Sequence, residues 1–320
     1  MVVDFFKKAN FYLEKIMPLL TPTGVVLGLL LGDKVSHFAP AVTFLFAFMT
    51  FTGALSINAK DFIHVIKKPF PIFLFLFTSH VIMPCLGFFV GKIIFPHDTA
   101  IVTGIVLLFS IPTAVASSIW ASIHQGNLSL TISILLVDTL LAPFLTPLTV
   151  SLFMGTTVEI DGIGMLLSLV WMVVIPSIIG VAINQFSKGK IPAIITPYCK
   201  PVSKLTLLMV IIINSSRIRG KIDHFEGIFI ITGLTCLILS FLGFAMGSFN
   251  GKLLKLKRED SVSLMYGTGM RNISAALVLA ITYFEARTAI PVVFGIVFQQ
   301  TLAALSGIIL LPKKQEIDTE

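Results

Sequence analysis

Long apolar runs recur along the whole chain and are separated by short polar segments. A helix needs about 18 to 20 apolar residues to cross a hydrocarbon core roughly 30 Å thick, and several runs reach that length. They carry helix formers and phenylalanine rather than the alternation of period two that is typical of barrel strands. The pattern predicts an all-α polytopic membrane protein with about ten transmembrane helices. We place these spans at residues 17-32, 40-57, 69-92, 99-123, 128-152, 163-185, 203-216, 226-249, 261-284 and 288-311.

The composition excludes a water-soluble domain. Of the 320 residues, 56% are hydrophobic and 12% are charged, and the mean hydropathy is +0.97. A soluble domain needs far more polar surface than this. Lys7, Lys8 and Lys15 precede the first apolar run, but no small-residue cleavage site follows it, so we interpret the run as a membrane span rather than a secretion signal. The three cysteines show no metal-ligand spacing.

Basic residues are distributed unevenly between alternate loops. Of the 23 lysines and arginines, 16 fall on one side of the predicted membrane and six on the other, and Arg271 lies inside a span. By the positive-inside rule, we expect a multi-pass protein of the plasma or inner membrane with both termini cytoplasmic, at residues 1-16 and 312-320. Topology and the anionic inner leaflet account for the net charge of +7, so no nucleic-acid partner is predicted.

The two halves of the chain show a weak internal repeat. Residues 54-62 read ALSINAKDF and residues 215-225 read SSRIRGKIDHF, and each segment places small residues, an Ile, a Lys and an Asp before a Phe. The segments follow the second and the seventh span, as two five-helix repeats would require. We therefore predict a first repeat at residues 17-152 and a second at residues 163-311. Because five is odd, the two copies would be inverted relative to each other in the membrane.

Polar side chains at membrane depth concentrate in the fourth, fifth, ninth and tenth spans. A charged side chain at the centre of a membrane helix costs about 2.5 to 3.5 kcal/mol, so each one requires a partner or a wet cavity. Pro112 interrupts the fourth span, and Gly267 and Gly269 are expected to loosen the ninth. Broken helices at corresponding positions of two halves point to the binding site of a transporter. The candidate substrate-binding residues are Thr113, Ser117, Arg271, Asn272, Gln299 and Gln300.

Two segments carry a family resemblance. They are PTAVASSIWASIHQGNLSLTISILLVDTLLAPFLTP at residues 112-147 and GTGMRNISAALVLA at residues 267-280. With these motifs the chain resembles the bile acid:sodium symporter family over nearly its whole length. The resemblance implies a core domain and a panel domain, with the broken fourth and ninth spans crossing at the substrate site. It also implies secondary active transport of a small organic anion by alternating access.

The positions that hold sodium in sodium-coupled relatives are altered in this chain. Gly267 stands where the family has a glutamate, and Arg271 stands where it has a glutamine. Ser118 replaces an asparagine, and His80 replaces a glutamine. Because a carboxylate is lost and a permanent positive charge is gained, two sodium sites of the family's kind are not expected. The hydroxyl of Thr131 is retained, which leaves one degraded sodium site as an alternative. The candidate residues for holding or replacing a cation are His80, Ser117, Ser118, Thr131, Thr268, Met270 and Arg271.

Three hypotheses explain the arginine in the ninth span. The guanidinium of Arg271 replaces a bound cation, it binds a substrate carboxylate through two hydrogen bonds, or it forms a structural ion pair with Asp138. Asp138 and His80 are each also candidates for proton coupling, because histidine titrates near neutral pH and desolvation raises the pKa of a buried carboxyl group. Proton coupling or uniport is therefore the alternative to sodium symport, and no cofactor other than sodium is expected.

Motifs of the common enzyme classes are missing from the sequence, including HExxH, a P-loop and GxSxG in a strand-turn-helix context. We therefore predict no enzyme activity. A channel is the remote alternative, and saturable turnover with counterflow would distinguish a carrier from it. The expected partners are a small organic anion and membrane lipid, and the sequence leaves the substrate's identity and the oligomeric state open.

Overall fold

The computed structural model describes residues 2–57, 69–216 and 227–311, and the regular structure in these ranges is helical. Six helices in these ranges are long and apolar enough to cross a membrane, namely Pro69–Ile94, Leu128–Met154, Gly162–Phe186, Lys190–Ser216, Gly227–Leu253 and Ala289–Ile309. The all-α, multi-pass prediction is thus confirmed, whereas the count of about ten spans stays a prediction. Single helical turns occur at Asp33–Ser36 and Ala286–Thr288. The longer helices are α1 (Val2–Leu31), α2 (Ala41–Ala54), α3 (Pro69–Ile94), α4 (Thr99–Ser110), α5 (Ala116–Ile123), α6 (Leu128–Met154), α7 (Gly162–Phe186), α8 (Lys190–Ser216), α9 (Gly227–Leu253), α10 (Arg258–Gly269), α11 (Ile273–Tyr283) and α12 (Ala289–Ile309).

The outer faces of the long helices are apolar, whereas two short helices are buried inside the bundle. Phe73, Phe144, Leu152 and Ile308 have exposed fractions between 61% and 76%. Large apolar side chains on the outside are expected where lipid is the solvent. Residues 101–110 of α4 and 275–281 of α11 are buried throughout, and α4 packs against α3, α6, α11 and α12. The centre of the bundle is therefore built around the two broken spans.

Helix α1 begins at Val2, so it extends before residue 17, where we placed the start of the first span. Residues 2–16 are helical, because their lysines are good helix formers and do not end the helix. Helix α8 likewise begins at Lys190, before residue 203, where we placed the start of the seventh span. The residues at which these helices enter the membrane stay a prediction. The polar halves of the two helices are joined where Lys204 Nζ donates a hydrogen bond to the backbone oxygen of Asn10 at 3.1 Å. Hydropathy located the apolar parts of both helices but not their first residues.

Helix α3 contains a π-helical turn at Thr78–Ile82, which the sequence analysis did not predict. Pro84 explains it, because proline has no N–H to donate and its ring clashes with the carbonyl four residues earlier. That carbonyl belongs to His80, and it accepts a hydrogen bond from the Thr149 hydroxyl at 3.4 Å instead. Helix α7 has a similar turn just before Pro176. The π turn in α3 holds the His80 side chain inside the bundle.

The fourth span is broken between α4 and α5, and the ninth is broken between α10 and α11, as predicted. The residue that follows α4 and the residue that follows α10 have extended backbones, with ψ angles of 150° and 120°. Pro112 accounts for the first break. Gly267 and Gly269, however, remain helical, and a Cβ on Gly269 would lie 2.3 Å from the ring of Phe244. These glycines permit close packing and do not loosen the helix, which corrects the expectation.

Candidate functional site

The two helix breaks cross and pair through their backbones. Thr113 and Arg271 form an isolated antiparallel bridge. Beside it, the Ala114 N–H donates to the Met270 oxygen at 3.1 Å, and the Asn272 N–H donates to the Pro112 oxygen at 2.8 Å. Each break thus supplies a donor and an acceptor to the other, so backbone groups that no helix satisfies are paired in the protein interior.

Side chains complete the hydrogen bonding around the crossing. The Thr113 hydroxyl donates to the Met270 oxygen at 2.9 Å. The Thr146 hydroxyl on α6 donates to the oxygen of Ser110, the last residue of α4, at 2.8 Å. Asn272 is the N-cap of α11 and its side-chain oxygen accepts from a backbone N–H in the first turn. Asn272, proposed from the sequence to contact substrate, therefore has a structural role in ending the break.

A buried carboxylate joins the π turn to the crossing. Asp138 is fully buried on α6, and its Oδ1 lies 2.5 Å from Nε2 of His80. Its Oδ2 accepts the backbone N–H of Thr113 at 2.6 Å. The short Nε2–Oδ1 separation requires a proton between the two atoms, since two lone pairs would repel. Nδ1 of His80 is buried and has no hydrogen-bond partner in the described part of the chain.

The Arg271 guanidinium is buried at the crossing, with 3% of the residue exposed, and has few partners. Its backbone N–H donates to the side-chain oxygen of Gln299 at 2.8 Å, and its Nη1 donates to the Ile111 oxygen at 3.4 Å. Nε and Nη2 are buried and have no partner within residues 2–57, 69–216 and 227–311. Among the described residues, no hydrogen bond or ion pair joins Arg271 to a carboxylate. Both oxygens of Asp138 are bonded to other groups, so the predicted direct Arg271–Asp138 contact is not formed in this conformation.

Several predicted cation ligands take part in local hydrogen bonds. The Ser118 hydroxyl donates to the Val115 oxygen at 2.8 Å, and the Thr131 hydroxyl donates to the Asn127 oxygen at 3.0 Å, so both oxygens keep their lone pairs. The Met270 carbonyl accepts two hydrogen bonds at the crossing, which uses both of its lone pairs. The hydroxyls of Ser117 and Thr268 are buried and have no partner within the described part of the chain.

The two glutamines of the tenth span contact different partners. Gln299 accepts from the Arg271 backbone, whereas Gln300 is exposed and its side-chain oxygen accepts from the indole N–H of Trp120 at 2.9 Å. The Trp120 ring stacks near that of Tyr266, with 6.2 Å between ring centroids. Trp120 was not among the predicted site residues, although a tryptophan in a broken polar span was a signal that could have identified it.

A second cluster of contacts holds the turn between α5 and α6 against the start of α10. Asn127 caps α6 with its side-chain oxygen, and its Nδ2 donates to Asp260 Oδ1 at 2.7 Å. Arg258 Nη1 donates to the backbone oxygen of His124 at 3.1 Å. Partial burial and the positive charge of Arg258 lower the pKa of the His124 side chain. The two broken spans are therefore linked where α5 ends and α10 begins, as well as at the crossing.

Comparison with known proteins decides the family. A profile described as the Sodium Bile acid symporter family matches residues 42–224. The chain belongs to the sodium bile acid symporter family. The match includes His80, Asp138 and the break in the fourth span, whereas Arg271 lies beyond it. As a member of this symporter family, the chain is a multi-pass membrane transporter with a small-molecule substrate.

Relatives extend the similarity along the chain. "Uncharacterized protein YbaS" of Bacillus subtilis (strain 168) is 44% identical over 92% of this chain and 96% of its own. "Uncharacterized sodium-dependent transporter YocS" of the same organism is 23% identical over 90% of this chain and 88% of its own. "Probable sodium/metabolite cotransporter BASS3, chloroplastic" of Oryza sativa subsp. japonica is 26% identical over 79% of this chain and 60% of its own. The family and relative names indicate a transporter rather than an enzyme.

Proposed function

We propose that this symporter-family member carries a small organic anion across the cell membrane by alternating access. In this proposal it has ten spans in two inverted repeats, a core and a panel domain, and cytoplasmic termini. The antiparallel crossing of two broken helices supports the inverted arrangement. In a cysteine-free background, Lys252→Cys and His97→Cys should react with impermeant maleimide from opposite sides of the membrane, and labelling from one side would contradict the topology.

The observation that carries the proposal is the free edge of the Arg271 guanidinium. Nε and Nη2 lie on the same edge of the planar group, and together they form the fork that binds a carboxylate through two parallel hydrogen bonds. Neither atom has a partner among the residues that the structure describes, while Nη1 on the other edge donates to the Ile111 oxygen. Because the free edge is buried, an anion reaches it only after the surrounding helices separate, as alternating access requires.

Thermal stabilisation of the purified protein by a panel of organic anions tests this role. A ligand that binds the folded state raises the melting temperature by mass action. Arg271→Gln removes two charge-assisted hydrogen bonds of about 1.5 to 3 kcal/mol each, so the dissociation constant should rise by roughly 100-fold or more. Arg271→Lys keeps the charge without the fork and should show an intermediate loss. The control is Arg287→Gln, which alters an exposed ion pair with Asp98 and should bind the anion normally. Unchanged affinity in Arg271→Gln would exclude the contact.

We propose further that transport is independent of sodium, although the names of two relatives include sodium dependence. The donor set suits a sodium ion poorly, because the Met270 carbonyl already accepts two hydrogen bonds and Gly267 supplies no carboxylate. The guanidinium of Arg271 would supply a fixed positive charge in place of the cation. Uptake into proteoliposomes should be equal in sodium and in choline at fixed pH and membrane potential. A steep rise with sodium would overturn this proposal.

The His80–Asp138 contact favours proton coupling over uniport as the second candidate. The two side chains share a proton in the protein interior, and Asp138 also bonds the backbone of the crossing, so a change of protonation would act directly on the site. An inward proton gradient should then drive accumulation of the anion, and His80→Gln should abolish accumulation while counterflow continues. Accumulation that is unaffected by a proton gradient would favour uniport.

A further inference from the structure

A cleft lies between the first three turns of α1 and of α8, away from the crossing. It has a volume of about 310 Å³. Lys204 joins its two walls through the hydrogen bond to the Asn10 backbone, and the rings of Phe6 and Tyr198 pack edge to face across the same interface at 5.0 Å. The residues that line the cleft are Lys7, Asn10, Pro192, Ala193, Thr196, Pro197 and Lys200.

The charged groups of the cleft suit a phosphate. Lys7 on α1 and Lys200 on α8 are exposed and lie on opposite walls, so both ammonium groups would attract an anion that enters the cleft. Asn10 contributes a different group, because its Oδ1 is buried and accepts no hydrogen bond from any residue that the structure describes. A ligand that carries a phosphate and also a hydroxyl donor would satisfy the two lysines and Asn10 together.

The surroundings of the cleft favour a lipid as the source of that phosphate. Phe5, Phe11 and Tyr12 on α1 and Ile194 on α8 have exposed fractions between 64% and 68%. Large apolar side chains beside basic ones are typical of a helix that lies at the level of lipid headgroups, where acyl chains can cover the apolar side chains. The charge distribution predicts that both lysines lie on the cytoplasmic side, where anionic lipids are found.

We propose that the cleft between α1 and α8 binds the headgroup of an anionic phospholipid. The phosphate lies between Lys7 and Lys200, and a headgroup hydroxyl donates to Asn10 Oδ1. The site prefers phosphatidylglycerol, which has both groups. This site is separate from the crossing, so its test is independent of the proposed transport function.

The test measures the melting temperature of the purified full chain in neutral detergent with added dioleoylphosphatidylglycerol or dioleoylphosphatidylcholine. Phosphatidylglycerol should stabilise the protein more strongly. Lys7→Gln with Lys200→Gln should weaken its binding by roughly 30-fold, since each lysine near an anionic lipid surface strengthens binding by about five-fold. The matched control is Lys252→Gln with Lys257→Gln, two exposed lysines elsewhere on the same predicted side, which should bind as the unaltered chain does.

Two further comparisons identify which chemical groups of the headgroup bind in the cleft. Phosphatidylmethanol has the same charge but no headgroup hydroxyl, so it should bind more weakly than phosphatidylglycerol, and Asn10→Leu should remove the difference. Equal stabilisation by glycerol 3-phosphate would show a site for a soluble phosphate and overturn the lipid proposal. Equal loss in the control pair, or equal effects of phosphatidylglycerol and phosphatidylcholine, would also overturn it. Should the glutamine pair fail to fold, Lys7→Arg with Lys200→Arg must retain the stabilisation, and its loss would count against the site.

Discussion

Replacing Asp138 with alanine should lower the free energy of unfolding by about 3 to 5 kcal/mol, the range for removing one partner from a buried pair. Two hydrogen bonds that would be lost in the structure give a similar magnitude. Without the carboxylate, the Thr113 N–H and His80 Nε2 are left unpaired in the interior. Each buried, unsatisfied polar group costs about 1 to 3 kcal/mol, more if it is charged.

Asparagine at position 138 should cost about half as much as alanine. Its oxygen can still accept the Thr113 N–H, and its amide can donate to Nε2 of a neutral His80, so both hydrogen bonds persist without the charge. Unfolding free energy in detergent micelles, measured by steric trapping, gives the comparison. Leu140→Ala is the control, because this side chain on the same helix is 43% exposed on the outer face and its truncation should cost less than about 1.5 kcal/mol.

A double-mutant cycle with His80→Ala isolates the pair itself. The coupling free energy between His80 and Asp138 should be about 1 to 3 kcal/mol. The prediction fails if alanine and asparagine at position 138 lower the unfolding free energy equally within about 0.5 kcal/mol, or if the coupling free energy is zero. Either result would mean that the two side chains are not hydrogen-bonded in the folded protein.

Three further predictions concern packing, capping and pH. Gly269→Ala should destabilise the protein by about 1 to 3 kcal/mol because its Cβ would meet the Phe244 ring, and adding Phe244→Leu should restore part of the loss; a harmless Gly269→Ala would contradict the packing. Asp98→Ala should lower the unfolding free energy by about 1 kcal/mol because Asp98 caps α4, whereas Arg287→Ala should lower it by less than about 0.5 kcal/mol because their ion pair is partly exposed; equal losses would argue against the cap. The lowered pKa of His124 means that the folded state takes up its proton less readily than the unfolded state, so stability should fall as pH drops below 6.5. His124→Gln should flatten that part of the stability profile, and an unchanged profile would show that another group titrates.

Features that depend on nearby residues could be predicted from the sequence. The fourth-span break follows from Pro112, whose missing N–H and bulky ring interrupt any helix. The burial of Arg271 and Asp138 follows from their positions inside apolar spans, and long apolar runs locate the membrane helices. Helices α1 and α8 extend beyond their apolar parts, because the lysines near their starts mark a change in polarity and not a change in backbone conformation.

The pairing of charged groups could not be predicted, because it depends on tertiary distances. Asp138 was predicted as a partner of Arg271, but it contacts His80, which is 58 residues away in sequence. The choice depends on the π turn that Pro84 imposes on α3, a feature with no apolar periodicity of its own. The hydroxyls of Ser118 and Thr131 were predicted as ligands by position, yet each bonds a backbone oxygen one turn earlier, a local competition common for Ser and Thr in helices.

The crossing is held largely by main-chain atoms, which every amino acid except proline provides in full. The bonds from Ala114 to Met270 and from Asn272 to Pro112 would persist whichever side chain stood at position 271. The frame of the crossing is thus separate from the chemistry displayed on it. If Arg271 replaces a cation as proposed, a single substitution exchanges a cation ligand for a fixed charge while the backbone hydrogen bonds of the crossing remain. Members of one fold can then differ in their coupling ion and keep the same crossing helices.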